Sequence, residues 1–213
     1  MRCLRRLSGR FFSLLRLGVL NLMIRGAPRV LLRGVDVANL LATSNSSVLF
    51  SKVDAALTFI AVHDPHRGDR ISRDIKRIVF LESGPEFWPG ADACVLHDIT
   101  RLSIEQVALI IVHEATHARL WHAGIRYNSG NQGRVERLCV SAELAFLARI
   151  PNSGHLRITT ERKLNQAWWT KEARFERHRD ELVAVGAPTW MQRLHAKMFQ
   201  PSSGTTRMDN DKR

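Results

Sequence analysis

The chain of 213 residues is predicted to fold as α+β, mostly helical, with a small and partly antiparallel sheet beside two central helices. Three observations carry this expectation. Residues 103–124 make one helix that is apolar over most of its surface, and a second helix, rich in Leu138, Val140, Leu144, Phe146 and Leu147, begins near Arg134. Two short β-like runs, residues 76–81 and 93–97, precede them. A long charged helix over residues 160–183, carrying Trp168, Trp169 and Phe175, then supplies a covering layer. With 45% hydrophobic residues the chain can build one sizeable core.

Taken in order, the elements begin with a basic arm. Residues 1–35 hold eight arginines (Arg2, Arg5, Arg6, Arg10, Arg16, Arg25, Arg29 and Arg33) and no acid, so they carry eight of the formal +12 charges. Apolar residues such as Phe11, Phe12, Leu14 and Leu15 run between them. Such a segment suits an interfacial helix on an anionic membrane. A targeting sequence, a nucleic-acid-binding arm and a helix packed on the domain are the other readings. The main domain spans residues 36–200, and residues 201–213 form a disordered polar tail.

Within the domain, residues 35–41 read as a short helix and residues 42–47 as a polar linker. Residues 53–63 read as a helix stopped by Asp64-Pro65, with His63, Asp64 and His66 in a solvated loop. Gly84-Pro85 and Trp88-Pro89-Gly90 mark a loop between the two strands, and Asp92 and Asp98 are turn and cap residues. Pro151-Asn152-Ser153-Gly154 breaks the chain before the charged helix, and residues 190–199 add a last amphipathic segment. No uninterrupted apolar run reaches the roughly 18–20 residues of a membrane span. Cys3, Cys94 and Cys139 are too scattered for a disulfide framework, so reducing surroundings, the cytosol, are expected.

The apolar helix carries the chemistry. Ser103 caps it, and Gln106 stands where a capping box needs it. His113-Glu114-Ala115-Thr116-His117 follows, and two histidines at i and i+4 stack on one face, so both imidazoles can address one metal ion. Glu114 sits roughly 100° around the helix. From there its carboxylate reaches water instead of the metal, which is the general-base position. Ligand type favours zinc. Two histidines and a glutamate in a buried helix need partners, since each isolated polar group there costs about 1–3 kcal/mol.

A catalytic zinc takes three protein ligands. Glu136 is the best candidate for the third: it stands eighteen residues beyond His117, with Gly124, Gly130 and Gly133 supplying a turn between. A second helix packed antiparallel to the first would aim it back at the histidines. This His-Glu-x-x-His, eighteen residues, then Glu arrangement over residues 103–147 resembles the gluzincins, a group of zincin metallopeptidases. The resemblance implies a zincin-like domain in which His113, His117 and Glu136 bind zinc and Glu114 is the catalytic base. It also implies that the strand at residues 93–97 is an edge able to pair with an extended peptide substrate. The thermolysin-like acid four residues past the glutamate ligand is replaced by Val140, and the aminopeptidase substrate motif is missing.

Alternatives stay open. Glu143, seven residues past Glu136, is either an outer partner of a histidine or the third ligand itself. Cys139 faces the site or fills the core. A metzincin would need histidine at Ala123 and glycine at Leu120. Tyr127, the only tyrosine, is the candidate oxyanion donor, with Arg126 and His155 as rivals. The expected function is peptide-bond hydrolysis with peptide or protein substrates. The alternatives are hydrolysis of another amide, or a non-catalytic basic protein for membrane or nucleic acid that keeps a structural His/Glu cluster.

Overall fold

A computed structural model describes residues 22–41, 44–82, 84–128, 130–165, 170, 188 and 189. The order is β1 (Arg29–Leu32), β2 (Val35–Asn39), α1 (Ser46–His63), α2 (Pro65–Asp74), β3 (Arg77–Phe80), β4 (Glu86–Trp88), β5 (Ala93–Leu96), α3 (Ile104–His122), α4 (Gln132–Leu147) and α5 (Gly154–Asn165). The fold is α+β. The chain divides into two compact units, residues 1–161 and 162–213. The sequence readings of residues 1–21, of Trp168, Trp169 and Phe175, of residues 190–199 and of the tail fall outside the described residues.

The sheet is mixed, in the order β1-β2-β3-β5-β4. β2, β3 and β5 are parallel, and β1 and β4 close the two edges antiparallel. Parallel strands buried on both sides read as continuous apolar runs, which is why Arg77–Phe80 and Ala93–Leu96 were legible. One face packs Val37, Ile78, Phe80, Cys94 and Leu96 into the main core beneath the helices. The other face holds a smaller cluster of Ile24, Ala38, Val79 and Ala93.

Several expectations are corrected. Residues 35–41 are not a helix: Val35–Asn39 is a strand, and Arg29–Leu32 pairs with it instead of belonging to an arm. Arg33 and Gly34 join them with φ of 50° and 82°, the paired positive angles of a tight hairpin turn. α1 starts at Ser46, not near Val53, because the Asn45 side chain accepts from the Ser47 N–H. By length and composition alone α1 could cross a membrane; here Leu49, Val53, Ala56, Leu57 and Ile60 face the core.

Asp64 is buried rather than solvated. It ends α1 and caps α2, where Pro65 sits in the first turn, so His66 lies on a helix and not in a loop. α2 lies tight on α1: a Cβ on Gly68 would come 2.7 Å from the Ala61 Cα. β4 and a short 3₁₀ turn, Pro89–Ala91, occupy the stretch read as loop. β5 is therefore internal, and β4 is the edge. α5 begins at Gly154, six residues earlier than the charged helix read from sequence.

Candidate metal centre

α3 forms where the sequence places it. Ser103 accepts from the Gln106 N–H while the Gln106 side chain accepts from the Ser103 N–H, a complete capping box. The helix ends at His122, and Gly124 takes a φ of 83° to turn the chain away. α4 then runs back along α3. Glu136, in its first turns, meets both histidines, and Glu143, two turns on, meets His113.

The distances define a small polyhedron. The Nε2 atoms of His113 and His117 are 3.2 Å apart. Glu136 places Oε2 3.3 Å from His113 Nε2 and Oε1 3.7 Å from His117 Nε2. Zinc–nitrogen and zinc–oxygen bonds of about 2.0–2.1 Å in a tetrahedron give edges of roughly 3.3 Å between ligand atoms. The Nε2–Nε2 separation matches that figure, and each Glu136 oxygen lies near one of the two nitrogens. Two ring nitrogens and a carboxylate this close together can share one metal ion.

The surroundings orient the ligands. His113 Nδ1 lies 2.7 Å from Glu143 Oε1. An ionised carboxylate can only accept, so Nδ1–H donates and Nε2 is the nitrogen turned toward Glu136 and His117. Glu143 thus meets His113 at the ring nitrogen opposite the one that faces Glu136 and His117. The Tyr127 hydroxyl donates to Glu136 Oε1 at 2.8 Å, and its ring stacks edge-on against His117. Tyr127 thus touches both Glu136 and His117. Arg126 lies over the Trp121 ring at 3.6 Å, and His155 acts on Glu105 at the start of α3.

The electrostatics are those of a site with surplus negative charge. Burial opposes charge on His113, but its bonds to Glu136 and Glu143 and the nearby Glu114 outweigh that and raise it to about 10. Burial, then the His113 charge, lower His117 to about 4, against the pull of Glu136, leaving a neutral imidazole able to ligate. Burial also opposes ionisation of Glu136, yet His113, His117 and Tyr127 together hold it below the usual carboxylate range. Burial raises Glu114 to about 7; His113 opposes this, and Glu136, Glu86 and Glu143 add to it.

Glu114 is only 4% exposed, and its Oε2 has no hydrogen-bond partner among the described residues. A buried carboxylate oxygen left bare is a costly arrangement. Cys139 is buried with its Sγ within 4.8 Å of nitrogens of both histidines, so it faces the site as well as filling the core. Glu136 and Cys139 therefore both stand within reach of the two histidines. Burial, then the carboxylates, push the Cys139 thiol upward.

Sequence reading missed one neighbour. Glu86 on β4 acts on Glu114, and Phe87 on the same strand packs edge-on against His122 of α3. A run of only three residues between Gly84-Pro85 and Pro89-Gly90 carries too little periodicity to show as a strand. No protein-family model, curated protein or solved structure matches this chain. The likeness to gluzincins rests on residues 103–147 alone.

Proposed function

We propose that this protein is a zinc-dependent hydrolase that cleaves a peptide bond, with His113, His117 and Glu136 holding the metal and Glu114 as the general base. The observation that carries the reading is the pair of histidine Nε2 atoms 3.2 Å apart, met by the two Glu136 oxygens at 3.3 and 3.7 Å, with a bare carboxylate oxygen on the same helix. When bound, zinc would polarise the carbonyl and make water acidic near neutral pH. Glu114 takes the proton of the attacking water on Oε2 and delivers it to the leaving amine nitrogen. Its placement near 7 suits a group that must both accept and release a proton at neutral pH. Glu143 keeps the His113 ring turned, and Tyr127 keeps Glu136 from swinging out of reach.

An extended peptide has a natural berth along β4, whose outer edge is unpaired among the described residues and which lies beside α3. Hydrolysis of a non-peptide amide needs the same residues, and a substrate screen separates the two. Glu114→Gln should leave about one zinc per chain and reduce turnover about 100-fold or more. Turnover that survives this change would remove the proposal.

The position of Cys139 favours a second reading. A fourth protein ligand would close the coordination sphere and make the centre structural, in a basic protein without hydrolytic activity. Cys139→Ser would then release metal. Under the hydrolase reading it leaves zinc content unchanged.

A further inference from the structure

We propose that the cleft between α2 and α3 is a second ligand site, one that binds a phosphate group through Arg70 and Arg119. The cleft lies on the side of α3 away from the histidines. Val112, Ala115 and Thr116 form its floor, and they stand roughly 100°, 160° and 60° around the helix from His113. The cavity holds about 200 Å³ and is lined by four arginines, Arg67, Arg70, Arg119 and Arg149, against two carboxylates, Asp64 and Asp74. At neutral pH the walls therefore carry surplus positive charge.

The internal pairing leaves that surplus on particular residues. Asp64 is buried and fully engaged: Arg67 Nε lies 3.1 Å from Oδ2, Arg149 Nη1 lies 3.2 Å from Oδ1, and the Arg67 N–H also donates to it. Arg67 and Arg149 are thus fixed in the wall. Arg70 and Arg119 are half-buried and make no hydrogen bond or ion pair among the described residues. Both act on Asp74 from a distance without pairing with it.

A guanidinium shielded from water and without an acceptor forgoes the charge-assisted bonds that make arginine useful. Two of them across one small cavity present forked donors to a single tetrahedral anion. The volume lies below the roughly 300–1,000 Å³ of sites for larger organic ligands. A phosphate group fits the charge and the size.

Inorganic phosphate titrated calorimetrically into the full chain, with chloride at matched ionic strength as the control, tests this. One saturable site per chain is expected. Arg70→Gln and Arg119→Gln should each weaken it about tenfold or more. Arg157→Gln, on α5 outside the cleft, should leave it unchanged, and zinc content should be the same in all three variants.

Vesicles of phosphatidylcholine with and without phosphatidic acid identify the source of the group. Binding to the acidic vesicles that falls with Arg70→Gln and Arg119→Gln assigns a lipid headgroup. Vesicle binding indifferent to both, alongside loss of inorganic phosphate, assigns a free phosphate or small phosphomonoester. Phosphate binding that is absent, or that survives both substitutions because the anion sits on the metal or elsewhere, overturns the proposal.

Discussion

The two sides of α3 are built on opposite charge. Facing α4, the helix presents two histidines and Glu114 to two more buried carboxylates, Glu136 and Glu143. Facing α2, it presents Arg119 to a cleft where arginines outnumber acids. On each side some groups satisfy one another: Glu143 with His113 on the first, Asp64 with Arg67 and Arg149 on the second. What remains after those pairs form decides what each side can bind. On the α4 side the remainder is a carboxylate against two ring nitrogens 3.2 Å apart, which suits a cation. On the α2 side it is two guanidiniums, which suit an anion.

The largest effect should come from deleting a ligand. His117→Ala should take the protein from about one zinc per chain to background in metal analysis, with turnover lost. Zinc at full stoichiometry in that variant would place the metal elsewhere and break the contrast at its stronger end. A smaller change sharpens it. Glu143→Gln keeps all three ligands but loses the charge that turns His113, so metal affinity should fall about 10–100-fold with stoichiometry at saturation unchanged. Arg70→Gln, across the helix, should leave that affinity alone.

The two sides should also differ toward pH. With metal removed by chelator, His113 is raised from 6.5 to about 10, so its contribution to stability is complete below pH 6.5 and is lost as pH climbs toward 10. Glu114, raised from 4.5 to about 7, removes stability in the same direction over pH 4.5–7. His117, lowered from 6.5 to about 4, acts oppositely over pH 4–6.5, so those two offset each other. Above pH 7 the His113 loss remains, and from about pH 9 the buried thiols Cys94 and Cys139, both raised, act in the same direction. The urea midpoint of chelated protein should therefore fall between pH 7 and 10, and saturating zinc should flatten the curve because metal and proton compete for the same nitrogen. A midpoint that holds or rises over that range would contradict the charge assignment.

Legibility in the sequence followed the same divide. The α4 side could be read because helix periodicity fixes where i and i+4 residues point, and because Ser103, Gln106 and Gly124 mark the ends of α3 by known chemistry. Glu136 and Glu143 followed from placing a second helix after a glycine-rich turn. The α2 side could not be read that way. Asp64-Pro65 both stops α1 and starts α2, and a dipeptide with two meanings shows only one of them in sequence. Arg33-Gly34 is a hairpin turn, but arginines on either side made it look like part of a basic arm. Arg70 and Arg119 lie 49 positions apart, and no local pattern says that α2 will lie against α3. Cavities between distant elements are products of packing, whereas the histidine pair is a product of one helix.

The smallest expected effect decides the role of Tyr127, where sequence and geometry part. Its hydroxyl is committed to Glu136 Oε1 at 2.8 Å, yet the residue is 46% exposed, so solvent can replace much of what the bond supplies. Tyr127→Phe should therefore cost roughly 1 kcal/mol or less, read as a fall of a few-fold in zinc affinity. Turnover of the zinc-loaded variant should stay within a few-fold of the parent, because the group acts through a ligand and not on the substrate. An oxyanion donor would behave in the reverse manner. Losing one costs about 100- to 1,000-fold in kcat with no change in metal affinity. Measuring zinc affinity and kcat on the same variant separates the two, and the second pattern would mean that the hydroxyl leaves Glu136 when substrate binds.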